Sequence, residues 1–121
     1  MSTAYFIVLD NDDPGFDSFV DGKKLTMRID DVNKIAKRLC LKMFDDYVFQ
    51  DLGEFGGPDM EPEWFDGVEG ANWMSLILQE LRNNPVAIED IDAVAEDLED
   101  YLRVFNEADK RGLKWHLELD F

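Results

Sequence analysis

The residues that most directly betray chemistry are scarce in this chain. Its 121 residues include one cysteine, Cys40, and one histidine, His116. A single cysteine excludes an internal disulfide and any cysteine-based metal cluster. A single imidazole is a poor start for a metal site. A reducing, cytoplasmic setting fits that usage. Bases are also few, 12 against 28 acids, for a net charge of −16. Small soluble domains more usually carry a charge of magnitude about 2–8. An excess of this size repels nucleic acid and anionic membrane surfaces, so neither is expected as a partner. Its natural complement is a basic protein. No apolar run approaches the roughly 18 residues that span a bilayer. Met1-Ser2-Thr3-Ala4-Tyr5 lacks the basic and apolar regions of a signal peptide, and none is expected. Walker, GxGxxG, GxSxG, HExxH and CxxC patterns are all missing, as are internal repeats and low-complexity tracts. No cofactor is expected.

What is present argues for a folded chain. Apolar residues make up 45% and aromatics 12%, enough for one core in a single globular domain, residues 1–121. The longest unbroken period lies in 88–112. There Ile88, Ile91, Val94, Ala95, Leu98, Tyr101, Leu102, Phe105 and Ala108 recur every three or four residues, as on one side of an α-helix. Glu89, Asp90, Asp92, Glu96, Asp97, Glu99 and Asp100 fill the positions between and give it an acidic outer face. Early acids, late Lys110 and Arg111, and a stop at Gly112 suit the helix dipole and a left-handed C-terminal cap.

Elsewhere the pattern is shorter. Residues 5–9 are large and apolar on both parities, as in a strand covered on both faces. A turn follows at 10–15, and Phe16, Phe19 and Val20 suggest a helical turn folding back on the core. Residues 23–42 hold seven of the twelve bases. Leu25, Ile29, Val32, Ala36 and Leu39 there follow a 4, 3, 4, 3 spacing, which predicts one helix. The rival is a strand through Leu25, Met27 and Ile29, with Asp30 or Asp31 capping a shorter helix. Residues 44–66 hold eight acids and no base. Glycines and prolines interrupt that stretch, and its aromatics make it a packed irregular segment with one short element near 44–52. A helix is expected over 68–83, with Val68, Trp73, Leu76, Ile77 and Leu81 inward, widened by Met74 and Leu78. Leu113, Trp115, Leu117, Leu119 and Phe121 then alternate with Lys114, His116, Glu118 and Asp120, as in a strand with one wet face. The fold class is therefore α+β: N- and C-terminal strands in a small sheet, packed against about three helices. If the two strands were parallel neighbours, their crossover would be right-handed.

Candidate chemistry is thin. Asp10, Asp12, Gly15 and Asp21 occupy positions 1, 3, 6 and 12 of a calcium-loop pattern. Position 5 is Pro14, position 12 is Asp rather than Glu, and a strand precedes it where a helix belongs. A strand-ending turn whose Asp side chains accept backbone N–H bonds accounts for these residues better, and no metal site is expected. His116 with Glu118 forms a possible acid–base pair on the wet face of the last strand, but no serine, cysteine or second histidine stands near in sequence. Cys40 ends an apolar helical face, where an unpaired cysteine is usually a buried hydrophobe. Trp64 and Phe65 sit in an acidic, proline-bearing loop with Asp59, Glu61 and Glu63. That arrangement suits an aromatic anchor in a polar rim, against the alternative that Trp64 staples the next helix.

These features favour a non-enzymatic binder of a basic protein, an immunity- or antitoxin-type inhibitor of a toxin. Its partner-binding residues would be Asp59, Glu61, Glu63, Trp64, Phe65, Glu96, Glu99 and Asp100. The alternatives are a small carboxylate-based metal-dependent enzyme, a DNA-mimic regulator, and an acidic housekeeping protein whose charge only keeps it soluble.

Overall fold

A computed structural model describes residues 4–11, 13, 15–20, 22–48, 63–84 and 91–120. The sheet is built from the apolar N-terminal strand, the alternating C-terminal strand and one short strand between them in sequence. β1 (Ala4–Leu9), β2 (Phe65–Asp66) and β3 (Lys114–Asp120) form an antiparallel sheet in the order β1-β3-β2. Tyr5 lies opposite Leu119, Ile7 opposite Leu117 and Leu9 opposite Trp115. The terminal strands are thus neighbours, as expected, and run antiparallel. On its other side β3 meets Phe65 and Asp66 at Trp115 and Lys114, and Val48 through a parallel bridge at Leu117.

Among the described residues there are four helices, α1 (Lys23–Met27), α2 (Ile29–Arg38), α3 (Gly67–Asn83) and α4 (Ile91–Lys110). Of these, α1, α3 and α4 pack against the sheet and α2 packs on α3. The expected single helix over 23–42 is broken at Arg28, whose N–H reaches back only to the Leu25 carbonyl (3.0 Å). Two packing demands account for the break. Leu25 is buried where α1 lies on α4, while Val32, Ile35 and Ala36 are buried where α2 lies on α3. One straight helix does not aim both sets correctly. The Asp97 carboxylate on α4 accepts the Leu25 N–H (3.0 Å), supplying the short α1 with the N-terminal acceptor its own sequence lacks.

The longest helix matches its period over the described residues. Val94, Leu98, Tyr101, Val104, Phe105 and Ala108 are buried, Leu98 completely, and Leu102 is only half-buried. The N–H groups of Gly112 and Leu113 bond to the carbonyls of Asp109 (3.2 Å) and Ala108 (2.8 Å). With Gly112 at φ +67° this is the left-handed helix end read from the sequence. Cys40 makes the same closure for α2 at φ 61°, with Leu41 N–H bonded to the Ala36 carbonyl (2.8 Å). That position points Cys40 into solvent rather than the core.

In α3 the buried face is Gly67, Gly70, Trp73, Met74, Ile77, Leu78 and Leu81, whereas Val68 and Leu76 are exposed. Glycine decides this rotation. Gly70 abuts the Phe105 and Trp115 rings, so the helix turns its smallest residues toward α4, and Val68 rides outward. The expected helical turn at 16–20 does not form: that stretch is neither helix nor strand, with Val20 buried and Phe19 exposed. A 3₁₀ turn (Phe44–Tyr47) is the short element expected near 44–52. Its Phe44 and Tyr47 rings join Tyr5, Phe65, Trp73, Phe105 and Trp115 in one aromatic core.

Candidate functional site

α4 presents an acidic face because its fully buried apolar residues fall on the opposite side. With six positions turned to the core, Asp92, Glu96 and Glu99 (i, i+4, i+7) form one outward row. All three are exposed. Beside them the C-terminal end of α3 leaves an open groove of about 560 Å³, lined by Arg82, Ile91, Asp92, Ala95, Glu96 and Glu99. Ile91 and Ala95 are its half-buried apolar lining. Arg82 forms an ion pair with Glu99 across the groove, and Asp100 pairs with Arg103 at 2.9 Å. Glu96 has no ion pair among the described residues. The groove thus holds three carboxylates, one of them neutralised by the single guanidinium, over aliphatic carbon.

The other half of the expected partner surface is not part of this face. Asp59 and Glu61 lie outside the described residues. Glu63 is exposed, but Phe65 is 7% exposed, and it is not an anchor awaiting a partner. As the first residue of β2 it turns its ring inward, edge-on to Tyr47 at 4.7 Å. Lys42 stands over both the Phe65 and Tyr47 rings at 5.2 and 5.3 Å, and 3.8 Å from Glu69. Trp64, one residue earlier, turns to the opposite side of the sheet and packs on His116, ring centroids 4.3 Å apart.

That contact corrects the reading of His116 as solvent-facing, since the imidazole is 2% exposed. Its Nε2 lies 2.7 Å from Glu118 Oε2, so the two side chains that could form an acid–base pair are in contact. The imidazole lies beneath Trp64, while the Glu118 side chain is 37% exposed. Because strand neighbours alternate, His116 and Trp64 occupy the sheet face away from Trp115, Leu117 and the helices. Trp64 and the acidic row of α4 therefore lie on opposite sides of the molecule. They do not make one surface.

Of the calcium-loop residues, Asp10 and Gly15 are described. The Asp10 carboxylate accepts the Lys114 N–H at 3.0 Å, and Asp13 N–H bonds to Asn11 Oδ1 at 3.0 Å. The Asp10 carboxylate and the Asn11 amide oxygen thus hold backbone N–H groups at the end of the strand. Asp12, Pro14 and Asp21 lie outside the described residues, and among the described residues no group of three or more His, Cys, Asp or Glu is arranged to hold a metal ion. No described helix is long and apolar enough to cross a membrane.

Two tyrosines are tied to carboxylates beside the 3₁₀ turn. Tyr5 donates to Asp45 (2.7 Å) and Tyr47 donates to Glu69 (2.9 Å). Burial first, and then the hydrogen bond to a carboxylate, pushes both phenols well above the usual tyrosine range. They are protonated clamps, not nucleophiles.

Residues that matter to the groove and escape a reading by sequence are Arg82, Ile91 and Ala95. The i, i+4, i+7 stripe of Asp92, Glu96 and Glu99 is the signal that finds its acidic side. Arg82 has no such signal, because it arrives from another helix. Compared with known protein families, curated proteins and solved structures, the chain has no significant match.

Proposed function

We propose that this protein binds and neutralises a basic protein partner, in the manner of an immunity protein or antitoxin that blocks a toxin. The observation that carries the reading is the exposed row Asp92, Glu96 and Glu99 over the apolar lining of Ile91 and Ala95. Uniform solvation needs no such groove. Charge of this density steers a cationic surface into encounter, and the aliphatic lining gives a docked lysine or arginine stem something to bury. A cation entering there competes with Arg82 for Glu99.

The test is retention from an extract of the native host on the immobilised protein, at low and high salt. One or a few basic proteins should be held at low salt and released at high salt. Glu96→Lys with Glu99→Lys should lose them. Asp30→Lys with Asp109→Lys, an equal charge change at exposed positions elsewhere, should keep most of the binding. If no basic protein is retained by the unmodified protein at low salt, the reading fails.

A further inference from the structure

Among the described residues β1 is an edge strand, and the order β1-β3-β2 gives its second side no neighbouring strand there. The bond from Asp10 N–H to the Lys114 carbonyl (3.0 Å) fixes the phase of the ladder. Antiparallel pairs alternate between hydrogen-bonded and non-bonded. Val8 and Phe6 therefore turn their amides toward β3, and Leu9, Ile7 and Tyr5 turn theirs outward. The outward carbonyl of Tyr5 is taken by the Tyr101 hydroxyl. The outward N–H and C=O of Ile7 have no partner among the described residues. Natural sheets guard such an edge with a charge, a proline, a bulge or a covering helix or loop. Here Gly22 and the Tyr101 hydroxyl cover it at Tyr5, which leaves the open part at Ile7. The six residues of β1 include neither charge nor proline, and the register against β3 runs without interruption.

Beside this edge lies an open groove of about 390 Å³, lined chiefly by Phe6, Ile7, Phe16, Asp17, Phe19 and Val20. Phe19 is 73% exposed, an apolar ring left in water next to unused backbone donors and acceptors. The stretch 16–20 on the far wall is anchored to α4 instead of β1. Arg103 donates to the carbonyls of Asp17 (2.7 Å) and Phe19 (3.2 Å).

We propose that this groove docks an extended, basic segment of the partner protein, which joins the sheet as a fourth strand beside β1. The proposal rests on the binder reading above and adds a second contact surface to it. Charge selects the occupant. Asp10 and Asp13 follow the end of β1 and Asp17 lines the groove, all exposed. The nearby cations are engaged, Arg103 with Asp100 and Arg111 with Glu107. A second copy of this chain would bring another net −16 against those acids. A strand alternating apolar residues with lysine or arginine meets Phe16 and Phe19 with one face and the acids with the other.

The probe is a synthetic peptide, acetyl-Lys-Val-Lys-Leu-Lys-Val-Lys-amide, titrated onto the isotopically labelled protein. A lysine-only peptide and a helix-forming Lys/Leu peptide serve as comparisons. At about ten times its Kd, the strand peptide should slow exchange of the Ile7 amide about tenfold, and the lysine-only peptide should not. Phe19→Ser, at an exposed position, should weaken the strand peptide on the order of tenfold, as expected when a phenyl contact is lost. Cationic peptides that bind at Glu96 and Glu99 while Ile7 exchange stays unchanged would overturn the edge-docking proposal and leave the binder reading standing. No binding by any of the three peptides would overturn both.

Discussion

Gly70 of α3 faces the Phe105 ring of α4 and the Trp115 ring of β3, and a side chain there has nowhere to go. An added Cβ would lie 2.8 Å from atoms of the Phe105 and Trp115 rings, both fully buried. Neither ring can swing away, so Gly70→Ala should destabilise by about 1–3 kcal/mol, the usual size of overpacking. Chemical denaturation would read it, and unchanged stability would show that the helices are not so tightly apposed. The two clamped tyrosines make a second prediction at this scale. Folding raises their pKa, so above about pH 10 the unfolded chain loses phenolic protons that the folded chain keeps. Stability is then fully present below that pH and falls as pH rises further. Tyr5→Phe with Tyr47→Phe should flatten this alkaline loss, measured as the unfolding midpoint against pH. An unchanged slope would mean that other groups drive it. Individual residues were legible only in part. Nothing in the alternation around His116 announces that Trp64, fifty-odd positions away, will cover it. Phe65 and Trp64 look alike in sequence, yet the strand parity of β2 sends one ring into the core and its neighbour to the other side of the sheet.

Among elements, β3 is the one the others depend on. It pairs with β1 on one side and with β2 and Val48 on the other, and its Trp115 and Leu117 are fully buried. Deleting residues 116–121 removes the centre of the sheet, not a fringe, and should abolish cooperative unfolding. A truncated protein with an unchanged melting temperature would contradict the topology. The helices were legible to the degree that one rule governed each. α4 obeys a single period over the described residues, and its end at Gly112 follows from one glycine. The basic stretch 23–42 does not break at any glycine or proline; it breaks at Arg28 because α1 and α2 pack on different neighbours, a demand with no local signature. The rotation of α3 escaped for the opposite reason. Val68 and Leu76 are apolar, but small Gly67 and Gly70 permit the closer approach, and close approach outweighs the burial of two aliphatic side chains.

For the molecule as a whole, charge was the clearest message in the sequence and the groove the least visible. Net −16 and its concentration at −6 over residues 85–111 can be counted. That Asp92, Glu96 and Glu99 line a shared groove with Arg82 and Ile91 depends on how two helices meet. Asp97 shows how far composition misleads, because this acid of the same stretch is spent capping α1. The central claim is that the exposed carboxylates of α4 guide and hold a basic partner. Its most direct measurement is the association rate of the basic protein retained at low salt, compared between low and high salt and between the unmodified protein and the Glu96→Lys, Glu99→Lys variant. A steered encounter is salt-sensitive. The account predicts a rate that falls steeply with salt and, at low salt, a variant that associates markedly more slowly. An association rate unaltered by salt and by both charge reversals would contradict it.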